Sequence, residues 1–189
     1  MKIIMLAIIL LALLGAVDAK TKDYEYYSLS SGNISISVLD SKSAQLIEFG
    51  TADVTDIDVC SKEQFKVCLI MYNSITVVPN DLFKQLNTAT FCEDISWQYD
   101  AYTFRVELSE GHGIHSCDDN VKQLEVAVFG KSINVIRVSV FDNEDKLVSS
   151  YLFSELKGLI AFSSFSGSEY WLSSHCGYGA SEKCYSRNE

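Results

Sequence analysis

The stretch LEVAVFGKSINVIRVSVFDNEDKLVSSYLF, from Leu124 to Phe153, decides the fold. Large apolar residues recur at every second position in Leu124–Val128 and again at Ile136, Val138 and Val140. Alternation over these lengths predicts half-buried β-strands. The turn-forming residues Asp142–Asp145 separate the second strand from a third apolar segment. Because parallel pairing needs crossovers of a dozen residues or more, such short connections predict an antiparallel sheet.

Strand patterns also occur on both sides of this stretch. Alternating segments cover residues 34–38 and 102–108, and the uniformly apolar segment 65–72 is typical of a central strand. Short turn-forming connections at residues 154–158 and 166–168 predict two further strands, at residues 159–165 and 169–174. The sequence therefore predicts a mainly β protein, in which an antiparallel meander forms a sandwich or a curved sheet.

Helix signals are few. Residues 79–86 begin with a proline and place Leu82, Phe83 and Leu86 on one face, which predicts a short helix. Residues 55–64 carry a weaker pattern for a second short helix. The alternative fold is α+β, with the helix covering one face of the sheet.

The first nineteen residues have the pattern of a secretory signal peptide. Lys2 supplies positive charge, an apolar run extends from Ile3 to Leu14, and Ala19 ends a short cleavage motif. The run of about twelve residues is shorter than the roughly twenty that span a bilayer. We therefore expect residues 1–19 to be removed on export, and we expect no stable membrane anchor.

The rest of the chain, residues 20–189, is expected to be a single disulfide-stapled domain outside the cytoplasm, either periplasmic or secreted. Its length is typical of one domain, and it contains one proline and no low-complexity linker that would divide it. We expect disorder only near residues 20–24 and after Cys184.

Six cysteines, an even number in an exported chain, indicate disulfide bonds. Six cysteines allow fifteen connectivities. Short spacings favour pairing between neighbours along the chain: Cys60 with Cys68, Cys92 with Cys117, and Cys176 with Cys184. A thiolate zinc site is less suited, because its cysteines are usually two to four residues apart. We expect neither a metal ion nor a cofactor.

The charge balance limits the classes of partner. The chain has 25 acidic and 15 basic residues, and its formal net charge is −10. A chain this acidic repels phosphate backbones, so the sequence argues against nucleic-acid binding. It favours a basic partner by charge complementarity.

The stretch GHGIHSCDD, residues 111–119, places His112 and His115 beside Cys117. Its two glycines and its cysteine predict a turn held by a disulfide. The sequence contains neither the zinc-protease motif HExxH nor the serine-hydrolase elbow GxSxG. The alternative function is a small extracytoplasmic hydrolase that uses His112, His115 or His175 with nearby carboxylates.

Aromatic residues in polar surroundings are the candidate binding residues, because Trp and Tyr often anchor interfaces. They are Trp97, Tyr99, Trp171 and Tyr178. Core packing is the alternative for each of them. With no catalytic motif, the sequence favours an exported, soluble, acidic binding protein over an enzyme. Its expected partner is another protein, a basic one by charge, and the sequence leaves its oligomeric state open.

Overall fold

A computed structural model describes most of the chain: residues 21–30, 32–39, 43–49, 51, 53–60, 63–71, 74–90, 92–107, 116–119, 124–128 and 131–186. The predicted signal peptide, residues 1–19, lies outside the described residues.

The described residues form thirteen β-strands and two short helices. The first strands are β1 (Lys22–Tyr27), β2 (Ile34–Val38), β3 (Ser43–Glu48), β4 (Val54–Val59), β5 (Phe65–Met71), β6 (Ser74–Pro79) and β7 (Ser96–Tyr99). The others are β8 (Tyr102–Glu107), β9 (Leu124–Val128), β10 (Lys131–Phe141), β11 (Leu147–Ser154), β12 (Gly158–Ser163) and β13 (Glu169–Leu172). The helices are α1 (Leu82–Thr88) and α2 (Glu182–Tyr185).

All strand pairs are antiparallel, and the strands form one curved sheet. Its order is β6-β5-β4-β3-β2-β1-β13-β12-β11-β10-β8-β7, and β9 extends the edge of β10 beyond β8. The predicted meander from β9 to β13 is confirmed, as is the mainly β class. Because β1 pairs with β13, the first and last strands join two meanders into a nearly closed barrel.

The two ends of the sheet meet across the barrel. The ring of Phe65 in β5 lies edge-on to that of Tyr99 in β7, with ring centroids 5.6 Å apart. Strand β6 contacts β11 and β12, and the hydroxyl of Tyr151 donates a hydrogen bond to the carbonyl of Val77. An edge carbonyl that would otherwise be buried without a partner is thereby satisfied.

Helix α1 confirms one helix prediction. Leu82, Phe83 and Leu86 are its buried residues, as their spacing indicates. The second helix prediction, at residues 55–64, is wrong, because β4 occupies Val54–Val59 and buries Ile57 against the core. Among the described residues, the second helix is α2, near the C-terminus.

The expectation of disorder at residues 20–24 is wrong for its described part. Lys22–Tyr27 forms β1, with Tyr24 and Tyr26 buried. Each of these rings removes a large apolar area from water, which stabilises the strand against the core.

Antiparallel register places six turns at one end of the barrel, which we call the hairpin end. These turns join β1 to β2, β3 to β4, β5 to β6, β7 to β8, β10 to β11, and β12 to β13. The opposite end is covered by residues 173–186, which follow β13 and which we call the clasp.

The clasp is joined to the barrel by backbone hydrogen bonds. The N–H of Leu159 donates to the carbonyl of Tyr178 at 2.9 Å, and that of Gly177 donates to Lys157 at 2.8 Å. The hydroxyl of Tyr26 donates to the carbonyl of Leu159 at 3.1 Å and accepts from the N–H of Tyr178 at 3.2 Å. The clasp therefore closes this end of the core.

The cysteines lie in three neighbouring pairs, as their spacing favoured: Cys60–Cys68, Cys92–Cys117 and Cys176–Cys184. Their Cα–Cα distances of 5.3, 5.0 and 6.1 Å are typical of disulfides. Three disulfides indicate an oxidising, extracytoplasmic compartment. Among the described residues, no helix has the length and apolar composition needed to cross a bilayer.

Candidate functional site

Trp171 lies on the outer face of β13. Its neighbours Tyr170 and Leu172 are buried in the barrel, so strand alternation turns Trp171 and Glu169 outward. The indole is half-buried and the carboxylate is exposed. Cross-strand register aligns Trp171 with Tyr27 on one side and Ala161 on the other.

This row of outward-facing side chains, aligned by cross-strand register, continues across the neighbouring strands. Ala161 is paired with Leu152, and Leu152 with Arg137. Leu152 and Ala161 are buried although they face outward, which gives the row an apolar floor between Arg137 and Trp171. The Arg137 guanidinium lies 3.7 Å from the carboxylate of Glu107 and remains about half exposed.

Two cavities flank Trp171 on this face. The smaller, of about 160 Å³, lies between Arg137 and Trp171. Its lining also includes Ser150, Ser163 and Glu169. The Ser163 hydroxyl accepts from the N–H of Ser150 at 2.8 Å and donates to its carbonyl at 3.2 Å, so it is engaged by the backbone.

The larger cavity, of about 530 Å³, lies on the other side of Trp171, towards the hairpin end. Tyr27, Leu29 and Ala127 give it apolar walls, and Glu169 and Trp171 are shared with the smaller cavity. We call the two cavities together the Trp171 cleft. Ala127 belongs to β9, so β9 contributes to the wall of this cavity.

The shared wall of the cleft combines an aromatic ring with a carboxylate. Glu169 and Trp171 are two residues apart on one strand face, so both can approach the same bound group. An indole face attracts a cation, and a carboxylate accepts charge-assisted hydrogen bonds from ammonium or guanidinium groups. This arrangement is suited to a lysine or arginine side chain of a partner.

Trp97 and Tyr99, two other candidate binding residues, pack against the core from β7. The Trp97 ring stacks on Phe104, with an interplanar angle of 4° and ring centroids 5.6 Å apart. Tyr99 packs edge-on to Phe65. Both rings are half-buried, and their placement favours closure of the barrel over recognition.

Tyr178, the fourth candidate, lies in the clasp. Its ring packs edge-on to Tyr24, with ring centroids 5.6 Å apart, and its backbone bonds to Tyr26 and Leu159. Burial raises the pKa of the Tyr178 hydroxyl above its ordinary value. These contacts favour a structural role at the closed end of the barrel.

His112 and His115 lie outside the described residues. The described part of their stretch, residues 116–119, is a turn in which the N–H of Asp119 donates to the carbonyl of Ser116 at 3.1 Å. The Cys92–Cys117 disulfide ties this turn to the segment before β7. For residues 116–119, the described part of the stretch, the predicted turn held by a disulfide is confirmed.

His175, the third histidine, lies in the clasp. Its Nδ1 is 3.2 Å from the ammonium of Lys157, and one of its ring nitrogens lies within 4.8 Å of the sulfurs of Cys176 and Cys184. Those sulfurs form a disulfide and lack the thiolate charge that binds zinc. The grouping therefore does not provide a thiolate metal site.

Sequence reasoning missed several residues of the cleft: Tyr27, Leu29, Arg137 and Glu169. Alternation in β13 could have placed Glu169 beside Trp171, and Tyr27 belongs to an aromatic cluster at the start of the domain. Only the pairing of β1 with β13 brings Tyr27 to Trp171, and that pairing joins residues far apart in the sequence.

Comparisons with known proteins identify no relative. No family model matches the chain, and neither a search of curated proteins nor one of solved structures found a match.

Proposed function

We propose that this chain is an exported binding protein whose Trp171 cleft holds lysine or arginine side chains of a basic protein partner. The observation that carries the proposal is the shared wall of the two cavities, where the outward indole of Trp171 stands beside the exposed carboxylate of Glu169. The net charge of −10 supports the same class of partner, because it attracts basic proteins over long distances.

The three disulfides support export, since they persist in oxidising compartments. The signal-peptide pattern of residues 1–19 points the same way. In this proposal the barrel is a rigid support, and the outer face of β1 and β13 is the recognition surface.

Anisotropy of a fluorescein-labelled hexalysine peptide tests the cation preference. We expect binding to the wild-type chain at low salt, weaker binding at higher salt, and no binding of a hexaserine peptide. Trp171→Ala and Glu169→Gln should each reduce affinity roughly fivefold, because one removes the aromatic face and the other the carboxylate charge.

Glu182→Gln is the matched control, because it removes the same charge from α2 at the opposite end of the barrel. Equal losses in Glu169→Gln and Glu182→Gln would indicate diffuse attraction and refute the cleft. Equal binding of hexalysine and hexaserine would refute cation recognition.

A further inference from the structure

Exposed apolar side chains are concentrated at the hairpin end. Five of the seven exposed large apolar side chains among the described residues lie there: Leu29, Phe49, Val54, Leu147 and Phe165. Leu29 is 99% exposed, and the other four are between 41% and 56% exposed. The remaining two, Leu39 and Tyr185, lie at the opposite end.

These side chains follow one another around the barrel. They lie in or directly beside four turns that are consecutive in the sheet: β10–β11 with Leu147, β12–β13 with Phe165, β1–β2 with Leu29, and β3–β4 with Phe49 and Val54. The N–H of Phe49 donates to the carbonyl of Asn33 at 2.9 Å, which joins two of these turns. We call this series the apolar arc.

Leu29 connects the apolar arc to the Trp171 cleft. It lines the larger cavity together with Tyr27 and Trp171, and it is also the most exposed member of the arc. An exposed apolar patch bordered by polar groups marks an interaction surface. At this point the surface offers an apolar contact directly beside the aromatic–carboxylate wall.

The charges around the arc indicate what covers it. The described residues of the six turns carry five carboxylates and one ammonium: Asp53, Asp100, Asp142, Glu144 and Asp145 against Lys146. Asp145 forms an ion pair with Arg105 at 2.6 Å. The four remaining carboxylates outnumber the single ammonium, so this end of the barrel is negatively charged. A second copy of the chain and an anionic lipid surface would both be repelled.

Leu29 thus lies beside Trp171 and Glu169 at a negatively charged end of the barrel. We infer that the partner segment alternates basic and apolar residues, an inference that rests on the proposed function. Its cation lies against Trp171 and Glu169, and its neighbouring apolar side chain enters the larger cavity against Leu29 and Tyr27. A side chain buried there adds affinity in proportion to the apolar area removed from water. The remainder of the arc provides further apolar contacts to a basic protein surface.

Three labelled hexapeptides separate these contributions: (Lys-Leu)3, (Lys-Ser)3 and (Leu-Ser)3. Burial of a leucine corresponds to roughly a tenfold change in affinity, so (Lys-Leu)3 should bind wild type about tenfold more tightly than (Lys-Ser)3. (Leu-Ser)3 should bind more weakly than either lysine peptide. These measurements use anisotropy with the full chain.

Variants then locate the apolar contact. Leu29→Ser should lower the affinity for (Lys-Leu)3 to that for (Lys-Ser)3 and leave (Lys-Ser)3 unchanged. Leu39→Ser is the matched control, because Leu39 is 37% exposed at the other end of the barrel. Because both leucines are exposed, we expect neither substitution to lower the free energy of unfolding substantially.

The possible failures are distinct. Equal affinity for (Lys-Leu)3 and (Lys-Ser)3, with dependence on Glu169 retained, would overturn the inference and leave the proposed function standing. A preference for (Lys-Leu)3 that Leu29→Ser leaves intact would also overturn it. Tight binding of (Leu-Ser)3 would count against the proposed function itself. Flotation with phosphatidylcholine vesicles that depends on Leu29 would assign the arc to a lipid surface and overturn the inference.

Discussion

Tyr26 shows how one side chain links the barrel to the clasp. Its ring is fully buried, and its hydroxyl bonds to Leu159 and Tyr178 on two different segments. Burial raises the pKa of this hydroxyl above its ordinary value, because the tyrosinate would lose its hydration. The neutral form of Tyr26 is therefore part of the folded structure.

Tyr26→Phe should lower the free energy of unfolding at pH 7 by about 1–3 kcal/mol, because it leaves buried polar groups without their partner. The raised folded pKa gives a stabilising contribution that is complete below the unfolded tyrosine pKa of about 10 and is lost as the pH rises above it. The difference between wild type and Tyr26→Phe should therefore shrink above about pH 10. Urea unfolding from pH 7 to 11 measures it, and a constant difference would contradict the prediction.

Residue patterns alone separate the four candidate aromatic residues only in part. Alternation placed Trp171 opposite Tyr170 and Leu172, and that orientation is observed. Exposure depends on what covers the outer face, and alternation contains no such information. Trp97 was a candidate binding residue, but its ring stacks on Phe104 of the neighbouring strand. Alternation within β7 could not indicate this contact, because it contains no information about the neighbouring strand.

At the scale of elements, sequence reasoning worked best where turns are short. The meander from β9 to β13 was predictable because alternating segments are separated by a few turn-forming residues, which enforce antiparallel pairing. β1, β3, β4, β6 and β7 were not predicted. In β1 and β4, charged and polar residues dominate the outer faces. Only burial of Tyr24, Tyr26 and Ile57 on their inner faces explains these strands.

The clasp depends on close backbone contact, which Gly158 permits. Gly158 has a φ of 76°, and a Cβ there would lie 2.3 Å from the carbonyl oxygen of Tyr178 and 2.5 Å from the nitrogen of Ala180. Gly167 has a φ of 88°, but a Cβ there would meet nothing within 4 Å. The two glycines therefore share a left-handed backbone conformation that would strain an alanine, and they differ in what a Cβ would contact.

Gly167→Ala should cost about 1–2 kcal/mol, the strain of a left-handed backbone with a side chain. Gly158→Ala should cost at least about 3 kcal/mol, because displacement of the clasp adds to that strain. Chemical denaturation of both variants measures the difference. Equal losses would show that the clasp does not need the close approach.

At the scale of the whole molecule, closure of the barrel could not be predicted from the sequence. It depends on the pairing of β1 with β13, on the buried position of β6 and on the clasp, all contacts between distant parts of the chain. Local patterns determine which residues form strands, and these distant contacts determine which outer side chains form a cleft. The candidate site therefore emerged only with the structure.

Export is the remaining property of the whole molecule that a single measurement tests. Removal of residues 1–19 from 189 would leave 170 residues beginning at Lys20. Because all six cysteines are paired, the intact mass of the exported protein should be that of this chain minus six hydrogens. Alkylation without reductant should add nothing, and alkylation after reduction should add six groups. Recovery of the chain with residues 1–19 attached and six reactive thiols would contradict export, and it would remove the oxidising compartment on which the stapled barrel depends.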